Sequence, residues 1–226
     1  QKDKSLSISS KLNKLSVLRR FFADCQDWDW LPRHFDPQRW LVFTPSAQVE
    51  QAPVPPVIDD AVWAKLLWAG LSLVPEDLPR YGRRPVSGFV YPFSLMRAAA
   101  LTWLFGALRA NEFRRLRVGC IHWEHRTDRN ICWLAIPPSK SRSGLSRPVD
   151  QSLAEAVMAW EAERPPTEPE LDAATGEDVY FLFQYNGQQI GVHFLNKTLI
   201  PLLCAKAGIP QRDARGRITS HRARAT

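Results

Sequence analysis

Four side chains of this sequence have the charges and hydrogen-bond donors that are needed to hold one phosphate group: Arg109, Lys140, His221 and Arg224. A guanidinium can donate two parallel hydrogen bonds to two phosphate oxygens. Lysine and histidine add single donors, and both can transfer a proton. His221 and Arg224 are three positions apart, so they share one face of the helix that Thr219 or Ser220 is predicted to cap. In combination the four residues predict a phosphate site.

Each of these residues also has an ordinary structural explanation when it is considered alone. Arg109 can form an ion pair with Glu112, three positions later, and Lys140 can be a solvated lysine in a polar turn. His221 and Arg224 belong to a basic stretch, in which such a spacing also arises by chance. The prediction therefore depends on the whole set and on the elements that position it.

Charge is distributed unevenly along the chain, whose formal net charge is +7. Residues 109–147 contain nine cationic and three acidic residues, residues 206–224 contain six cations and one acid, and residues 150–178 contain nine acids and one arginine. This pattern is typical of a protein with one face on a polyanion and another in solvent, and it favours double-stranded DNA as the partner. The cations predicted to contact DNA are Arg114, Arg115, Arg117, Arg142, Arg147, Arg215, Arg217 and Arg222.

Composition narrows the class of protein. Hydrophobic residues make up 45% of the chain, with nine tryptophans and eleven phenylalanines, so a sizeable core can form. No run of about 18 apolar residues occurs, which argues against a membrane-spanning helix. The four cysteines are scattered and form no CxxC pair, which predicts reduced, buried thiols in a cytoplasmic protein and no zinc site.

The hydrophobic pattern predicts a mainly helical chain with a few short strands, because apolar residues mostly recur at spacings of three and four. The predicted helices are residues 5–24, 60–73, 94–108, 152–163 and 192–207, with a short helix after Asn111. The predicted strands are residues 120–124, 131–136 and 180–183, with 147–149 as a candidate third strand beside the first two. The predicted loops are residues 74–92, 137–147, 164–178 and 211–217.

Two details of this pattern concern the surroundings of Arg109. Ser94 is predicted to cap the helix before it, and Asn111 is predicted to cap the short helix after it. In that short helix Phe113 and Leu116 are predicted to face inward. The arginines between and after them are predicted to face outward: Arg114, Arg115 and Arg117.

Taken in order, the motifs resemble those of the tyrosine recombinase family, the phage-integrase-like enzymes that exchange DNA strands. Residues 106–113, Gly-Ala-Leu-Arg-Ala-Asn-Glu-Phe, are similar to the family's first arginine box, with Phe in the last place. Lys140 lies where the family has its β-hairpin lysine, and residues 218–226 resemble its His-x-x-Arg box. Residues 180–209 resemble the stretch that commonly precedes that box. The resemblance extends over about residues 56–226.

The resemblance implies a site-specific DNA recombinase that works through a 3′-phosphotyrosyl intermediate and needs no metal or other cofactor. By the resemblance, Arg109 and Arg224 would clamp the non-bridging phosphate oxygens, where negative charge accumulates. His221 would donate to the phosphate or assist proton transfer, and Lys140 would protonate the leaving 5′-oxygen. The implied protein integrates, excises or transposes double-stranded DNA as a homo-oligomer, in a tetrameric synapse, and is cytoplasmic and nucleoid-associated.

A fold and a domain organisation are implied as well. The expected fold class is α+β, mainly α with a small antiparallel β-sheet, as in the recombinase catalytic domain. Residues 1–50 would be the end of a helical core-binding domain, residues 51–56 a linker and residues 57–226 the catalytic domain.

The sequence departs from the family pattern near its end. Ala225 stands where the His-x-x-Arg box usually continues with a histidine. The tyrosines of the chain all precede that box: Tyr81, Tyr91, Tyr180 and Tyr185. The third box and the nucleophilic tyrosine are therefore expected beyond residue 226, and this chain is expected to bind DNA without cleaving it.

Three alternatives to a recombinase stay open at this point. One is a non-catalytic DNA-binding protein on the same fold, and another is a type IB topoisomerase-like enzyme, which shares the chemistry. The third is a metal-dependent nuclease, which would need acidic or histidine ligands beside the basic loops. The acids of this chain instead collect in residues 150–178.

Overall fold

The structure is a computed structural model that describes residues 8–42, 57–79, 91–125, 130–138 and 143–226. It divides into two compact units, Gln1–Pro55 and Pro56–Thr226. The predicted linker, residues 51–56, lies outside the described residues. No helix in the described ranges is long and apolar enough to cross a membrane.

In the part of the first unit that the structure describes there are two helices, α1 (Ile8–Asp27) and α2 (Pro37–Trp40). The predicted first helix is confirmed over the described residues, and it ends at Asp27, three residues beyond the predicted end. Asp36 caps α2 by accepting a hydrogen bond of 2.8 Å from the Gln38 backbone N–H. The segment between the helices is held to α1 by the Gln26 side-chain amide, which donates to the Phe35 carbonyl at 2.8 Å.

The second unit is mainly helical. Its helices are α3 (Asp60–Leu71), α4 (Phe93–Phe105), α5 (Ala110–Arg114), α6 (Gln151–Glu163), α7 (Ile200–Lys206), which a π-helical turn (Leu195–Leu199) precedes, and α8 (Ser220–Ala223). The core lies between α4 and α6, and α4 is buried on almost all sides. Trp160 of α6 is completely buried, and its indole N–H donates to the Leu182 carbonyl at 2.8 Å, which satisfies its one polar group.

A three-stranded antiparallel sheet covers one side of this core. Its strands are β1 (Ile121–His125), β2 (Asn130–Ile136) and β3 (Leu145–Val149), with β2 in the centre. Alternate residues of β2, Cys132, Leu134 and Ile136, are buried, as the two-residue period of a strand requires. The prediction of a mainly helical α+β fold with a small antiparallel sheet is confirmed at this level, and the candidate third strand is present.

Three small hairpins were not predicted. They are β4–β5 (Glu170–Asp172 with Glu177–Val179), β6–β7 (Gln184–Tyr185 with Gln188–Gln189) and β8–β9 (Arg212–Asp213 with Gly216–Arg217). The first and third lie in segments predicted to be loops. The predicted strand at residues 180–183 is wrong: this segment is bent, and its one bridge joins Phe181 to Arg117. Its apolar residues are buried by packing rather than by sheet pairing, which periodicity alone cannot distinguish.

Two of the predicted helix caps are also wrong, whereas one helix end is confirmed. Helix α4 begins at Phe93, so that Ser94 lies inside its first turn and is buried. Helix α5 begins one residue before Asn111, with Arg109 at the cap position. Gly208 follows α7 with a φ of +62°, the left-handed conformation expected of the residue after a helix.

Candidate functional site

Arg109 is positioned by a tight connection between α4 and α5. Gly106 ends α4, and a Cβ at this position would lie 2.5 Å from the Thr102 carbonyl oxygen, so the turn requires glycine. Ala107 follows with a φ of +48°, a conformation that is costly for a residue with a side chain. Leu108 is buried. The backbone is thus fixed on both sides, and Arg109 projects from it with 54% of its side chain exposed.

Glu112 binds Arg109 through both of its carboxylate oxygens. One accepts a hydrogen bond of 2.9 Å from the Arg109 backbone N–H, and the other accepts one of 2.8 Å from its guanidinium. The first bond satisfies a backbone donor at the start of α5. The ion pair that the spacing of these two residues allowed is therefore present.

The charge of Arg224, 112 positions further along the chain, also acts on the Glu112 carboxylate. Burial alone would raise the pKa of Glu112, but the hydrogen bonds from Arg109 and the positive charges of Arg109 and Arg224 outweigh it, so its pKa lies below the usual value. The helix that precedes Arg224 contacts α4, at whose end the turn to Arg109 begins. None of the described residues forms a hydrogen bond or ion pair with the Arg224 guanidinium, which is half-buried.

A third arginine lies beside this pair. Arg147 of β3 donates to the carbonyl oxygens of Gly106 and Ala107, each at 3.3 Å, and so contacts the turn that carries Arg109. We refer to Arg109, Arg147 and Arg224 as the arginine cluster. With Glu112 its formal net charge is +2, which makes it suited to an anion.

Helix α8 presents His221 and Arg224 outward. Ser220, Arg222 and Ala223 are buried, whereas His221 is exposed. The helix contacts α4, and the Ser220 backbone N–H donates to the Asn196 side chain at 2.9 Å. His221 therefore lies within one helical turn of Arg224, with a ring that no described residue contacts by a hydrogen bond.

Lys140 and Arg142, the remaining members of the predicted site and of its basic loop, lie outside the described residues. The structure therefore brings Arg109, Arg147 and Arg224 together and leaves the position of Lys140 undescribed.

Several arginines predicted to contact DNA are used inside the protein instead. Arg115 is buried in a two-bond ion pair with Asp172, at 2.8 and 2.7 Å, and the prediction that it faces outward is wrong. Arg222 is buried against Asp213, which corrects its assignment to the DNA-binding surface. A buried, paired guanidinium cannot reach a phosphate without breaking its own contacts.

Two further arginines of this set also form hydrogen bonds or ion pairs within the protein. Arg114 donates to the Ile190 carbonyl and to the Gln189 side chain, both at 2.8 Å. Arg117 pairs with Asp172 at 3.2 Å and with Glu177 at 2.7 Å. The exposed members are Arg215 and Arg217, on and beside the β8–β9 hairpin.

Two cavities of the second unit are lined by residues other than those of the arginine cluster. One of about 380 Å³ has aromatic walls, including Tyr91, Tyr185 and Phe194, and Lys197 contributes to its lining. The other, of about 450 Å³, lies beside β2 and is lined in part by Cys120.

The cysteines are buried and unpaired, as predicted. Burial raises the pKa of Cys120 to about 12 and that of Cys204 to about 11. Both thiols are therefore protonated and poorly nucleophilic at neutral pH. In the described ranges no three His, Cys, Asp or Glu side chains are grouped closely enough to hold a metal ion.

Sequence reasoning missed the acidic partners of this region. The sequence pattern indicated Glu112 only as a partner for Arg109, and it predicted no ion pair for Asp172 or Asp213. Asp213 carried a signal, because it is the one acid among the six cations of residues 206–224. An isolated acid in a basic stretch is a candidate for an internal ion pair.

Comparisons with protein-family models, curated proteins and solved structures gave no significant match.

Proposed function

We propose that the second unit binds the phosphate backbone of double-stranded DNA at the arginine cluster and belongs to a tyrosine-type site-specific recombinase. One observation carries this proposal: the Glu112 carboxylate accepts a hydrogen bond from Arg109, and the positive charge of Arg224, 115 positions after Arg109, also lowers its pKa, while the helix that precedes Arg224 contacts α4. Cations on one surface repel each other, and a nearby anion reduces that repulsion. Without DNA the carboxylate is such an anion, and on DNA a phosphate joins it.

The proposed chemistry is transfer of a DNA phosphoryl group to a tyrosine. The tyrosine oxygen forms a bond to phosphorus, the bond to the 5′-oxygen breaks, and that oxygen leaves with a proton supplied by Lys140. Arg109 and Arg224 stabilise the charge that develops on the non-bridging oxygens, and His221 donates to the phosphate or moves a proton. A 5′-hydroxyl of a second strand reverses the step in a synapse of several copies.

The attacking tyrosine is not one of the four in this sequence. In the resemblance that motivates the proposal it follows the His-x-x-Arg residues, whereas Tyr81, Tyr91, Tyr180 and Tyr185 precede them. These 226 residues are therefore proposed to bind DNA without cutting it. Arg215 and Arg217 extend the contact surface beyond the cluster because both are exposed.

The first test is the binding of duplex DNA over a range of salt concentrations. We expect the affinity to fall steeply as salt rises, with a slope of about 0.9 in log–log form for each phosphate neutralised. Arg109→Ala and Arg224→Ala should each reduce that slope by about one phosphate. Lys65→Ala is the matched control, because Lys65 is exposed on α3 and is not part of the cluster. Salt-independent binding, or none at low salt, contradicts the proposal.

The second test separates the enzyme from its rivals. A longer protein that supplies a tyrosine after residue 226 should form a covalent adduct with a nicked suicide substrate, without added metal. In that protein Arg109→Ala and Arg224→Ala should slow adduct formation by about 100-fold or more, while DNA binding falls much less. Cleavage that needs a divalent metal and leaves no adduct supports the nuclease. Binding with no cleavage of any substrate supports the non-catalytic DNA-binding protein, and relaxation of supercoils without strand exchange supports the topoisomerase-like enzyme.

A further inference from the structure

We propose that the buried Asp213–Arg222 pair is a positioning device, which sets the rotation of α8 so that Arg224 and His221 are presented to the phosphate site that also contains Arg109 and Arg147. The proposal rests on the proposed function, because it concerns how that phosphate site is built. Neither residue is proposed to contact DNA.

Arg222 is held by several acceptors at once. One guanidinium nitrogen donates to Asp213 at 2.6 Å and to the Val57 carbonyl at 2.8 Å, and the other donates to the carbonyls of Gly216 and Arg217 at 3.0 and 3.1 Å. Only 6% of the Arg222 side chain and 2% of the Asp213 side chain are exposed. The planar fork of a guanidinium is required for this set, because an ammonium cannot span it.

Asp213 is itself fixed by backbone donors. It accepts hydrogen bonds from the N–H of Arg215 at 2.9 Å and from that of Asp59 at 3.3 Å. The hydrogen bond from Arg222 is the main reason why the pKa of Asp213 lies below its usual value, so it carries a negative charge at neutral pH. Because an aspartate with its ordinary pKa is already ionised at neutral pH, the charge that attracts Arg222 is present before α8 packs.

The pair determines which of the two arginines of residues 221–224 is buried. Residues 221–224 read His-Arg-Ala-Arg, and either arginine has the charge to pair with an acid. A helix of four residues has little stability of its own, so its contacts must decide which side faces inward. Because Asp213 takes Arg222, two positions before Arg224, the half-buried Arg224 side chain is turned away from Asp213, and no described residue forms a hydrogen bond or ion pair with its guanidinium. A buried ion pair that fixes a register in this way is the best-attested use of such pairs.

The same contacts bind α8 to the beginning of the second unit. Arg222 donates to the Val57 carbonyl, and the Ile58 backbone N–H donates to the Thr226 hydroxyl at 2.8 Å. The stretch that follows the first unit in the chain is thus hydrogen-bonded to the element that carries Arg224. A change in residues 57–59 is therefore expected to reach the phosphate site through Arg222.

The test compares two substitutions of the same chemistry. Asp213→Asn removes the charge that holds Arg222. Asp172→Asn is the control, because Asp172 is equally buried, with 2% of its side chain exposed, but holds Arg115. Each is made alone and together with Arg224→Ala. Hydrogen exchange of residues 219–226 reports the order of α8, and titration with a duplex oligonucleotide at low salt reports the contribution of Arg224.

We expect Asp213→Asn to speed exchange in residues 219–226 by at least tenfold. Asp172→Asn should change it by less than twofold, because the amides of so short a helix exchange through local opening and not through the global unfolding that this substitution favours. The factor by which Arg224→Ala weakens DNA binding should fall below twofold in the Asp213→Asn background and keep its full value with Asp172→Asn. If Asp213→Asn does not fold, Arg222→Lys takes its place, since it keeps the charge but loses the fork.

Two results overturn the inference: unchanged exchange in residues 219–226, or an undiminished effect of Arg224→Ala in the Asp213→Asn protein. Failure of the proposed function looks different, because then the unsubstituted protein does not bind DNA at all. In that case the exchange comparison still decides whether Asp213 sets the position of α8.

Discussion

Replacing Glu112 by glutamine tests the idea that one carboxylate neutralises two arginines of a phosphate site. Glutamine has nearly the same shape and keeps an acceptor for the Arg109 backbone N–H, which lies 2.9 Å from Glu112. It loses the negative charge that Arg109 and Arg224 share. The formal charge of the arginine cluster with residue 112 then rises from +2 to +3. We expect this protein to bind DNA more tightly.

The size of the effect follows from one unit charge at the DNA surface. Removing one anion about 4 Å from a phosphate is worth about 1 kcal/mol in a medium like water, or about fivefold in affinity. The salt slope should become steeper by about 0.9, so the gain should shrink by about 3.5-fold between 50 and 200 mM salt. The protein should also lose about 1 kcal/mol of stability, because a capping interaction and a half-exposed ion pair are weakened.

The assay is fluorescence anisotropy with a labelled duplex at several salt concentrations, with thermal melting to verify that each protein is folded. Glu163→Gln is the matched control, because Glu163 is exposed at the end of α6 and its loss changes the net charge equally. We expect little change in affinity for the control. Weaker or unchanged binding by Glu112→Gln, or an equal gain with Glu163→Gln, would refute the reasoning.

Two further predictions concern the buried groups. Burial alone would raise the pKa of Asp172, but the hydrogen bonds from Arg115 and Arg117 lower that pKa below the unfolded value of about 3.9. The contribution of Asp172 to stability is therefore complete above the unfolded pKa. It is lost as the pH falls through the folded pKa. Urea titrations of the unsubstituted protein between pH 7 and pH 3 should show this loss, and Asp172→Asn should be less stable at pH 7 by about 3 kcal/mol and less sensitive to acid. Because Cys120 and Cys204 are buried with pKa values of about 12 and about 11, a thiol reagent at pH 8 should react slowly with the native protein and rapidly in urea; fast labelling of the native protein would contradict their burial.

Elements with a regular hydrophobic pattern could be predicted from the sequence. The helix at residues 152–163 and the strand at residues 131–136 have apolar residues at the spacing of one buried face, and both are present. Phe113 and Leu116 are buried as predicted, and Phe113 stacks on Phe183 at 4.5 Å. Periodicity succeeds here because a single face of each element meets the core.

Features that depend on distant partners could not be predicted in this way. The β4–β5 hairpin lies in an acidic, proline-bearing segment, and its Asp172 is held by Arg115, 57 positions earlier. Arg115 was predicted to be outward because a charged residue in a short helix is usually solvated. Its burial depends on one carboxylate that no local pattern indicates. The same holds for Arg222, whose acid lies on a hairpin that was predicted to be a loop.

The ion pair between Arg109 and Glu112 does not argue against a phosphate site at Arg109. Glu112 binds Arg109, and its pKa is also lowered by the positive charge of Arg224, from the far end of the chain. The three arginines of the cluster outnumber this one carboxylate, so an excess positive charge remains, and 54% of the Arg109 side chain is open to solvent. The carboxylate therefore reduces the repulsion among these arginines before DNA arrives. In this way the carboxylate stabilises the folded protein and lowers the affinity of the site for phosphate, and the Glu112→Gln protein tests both effects.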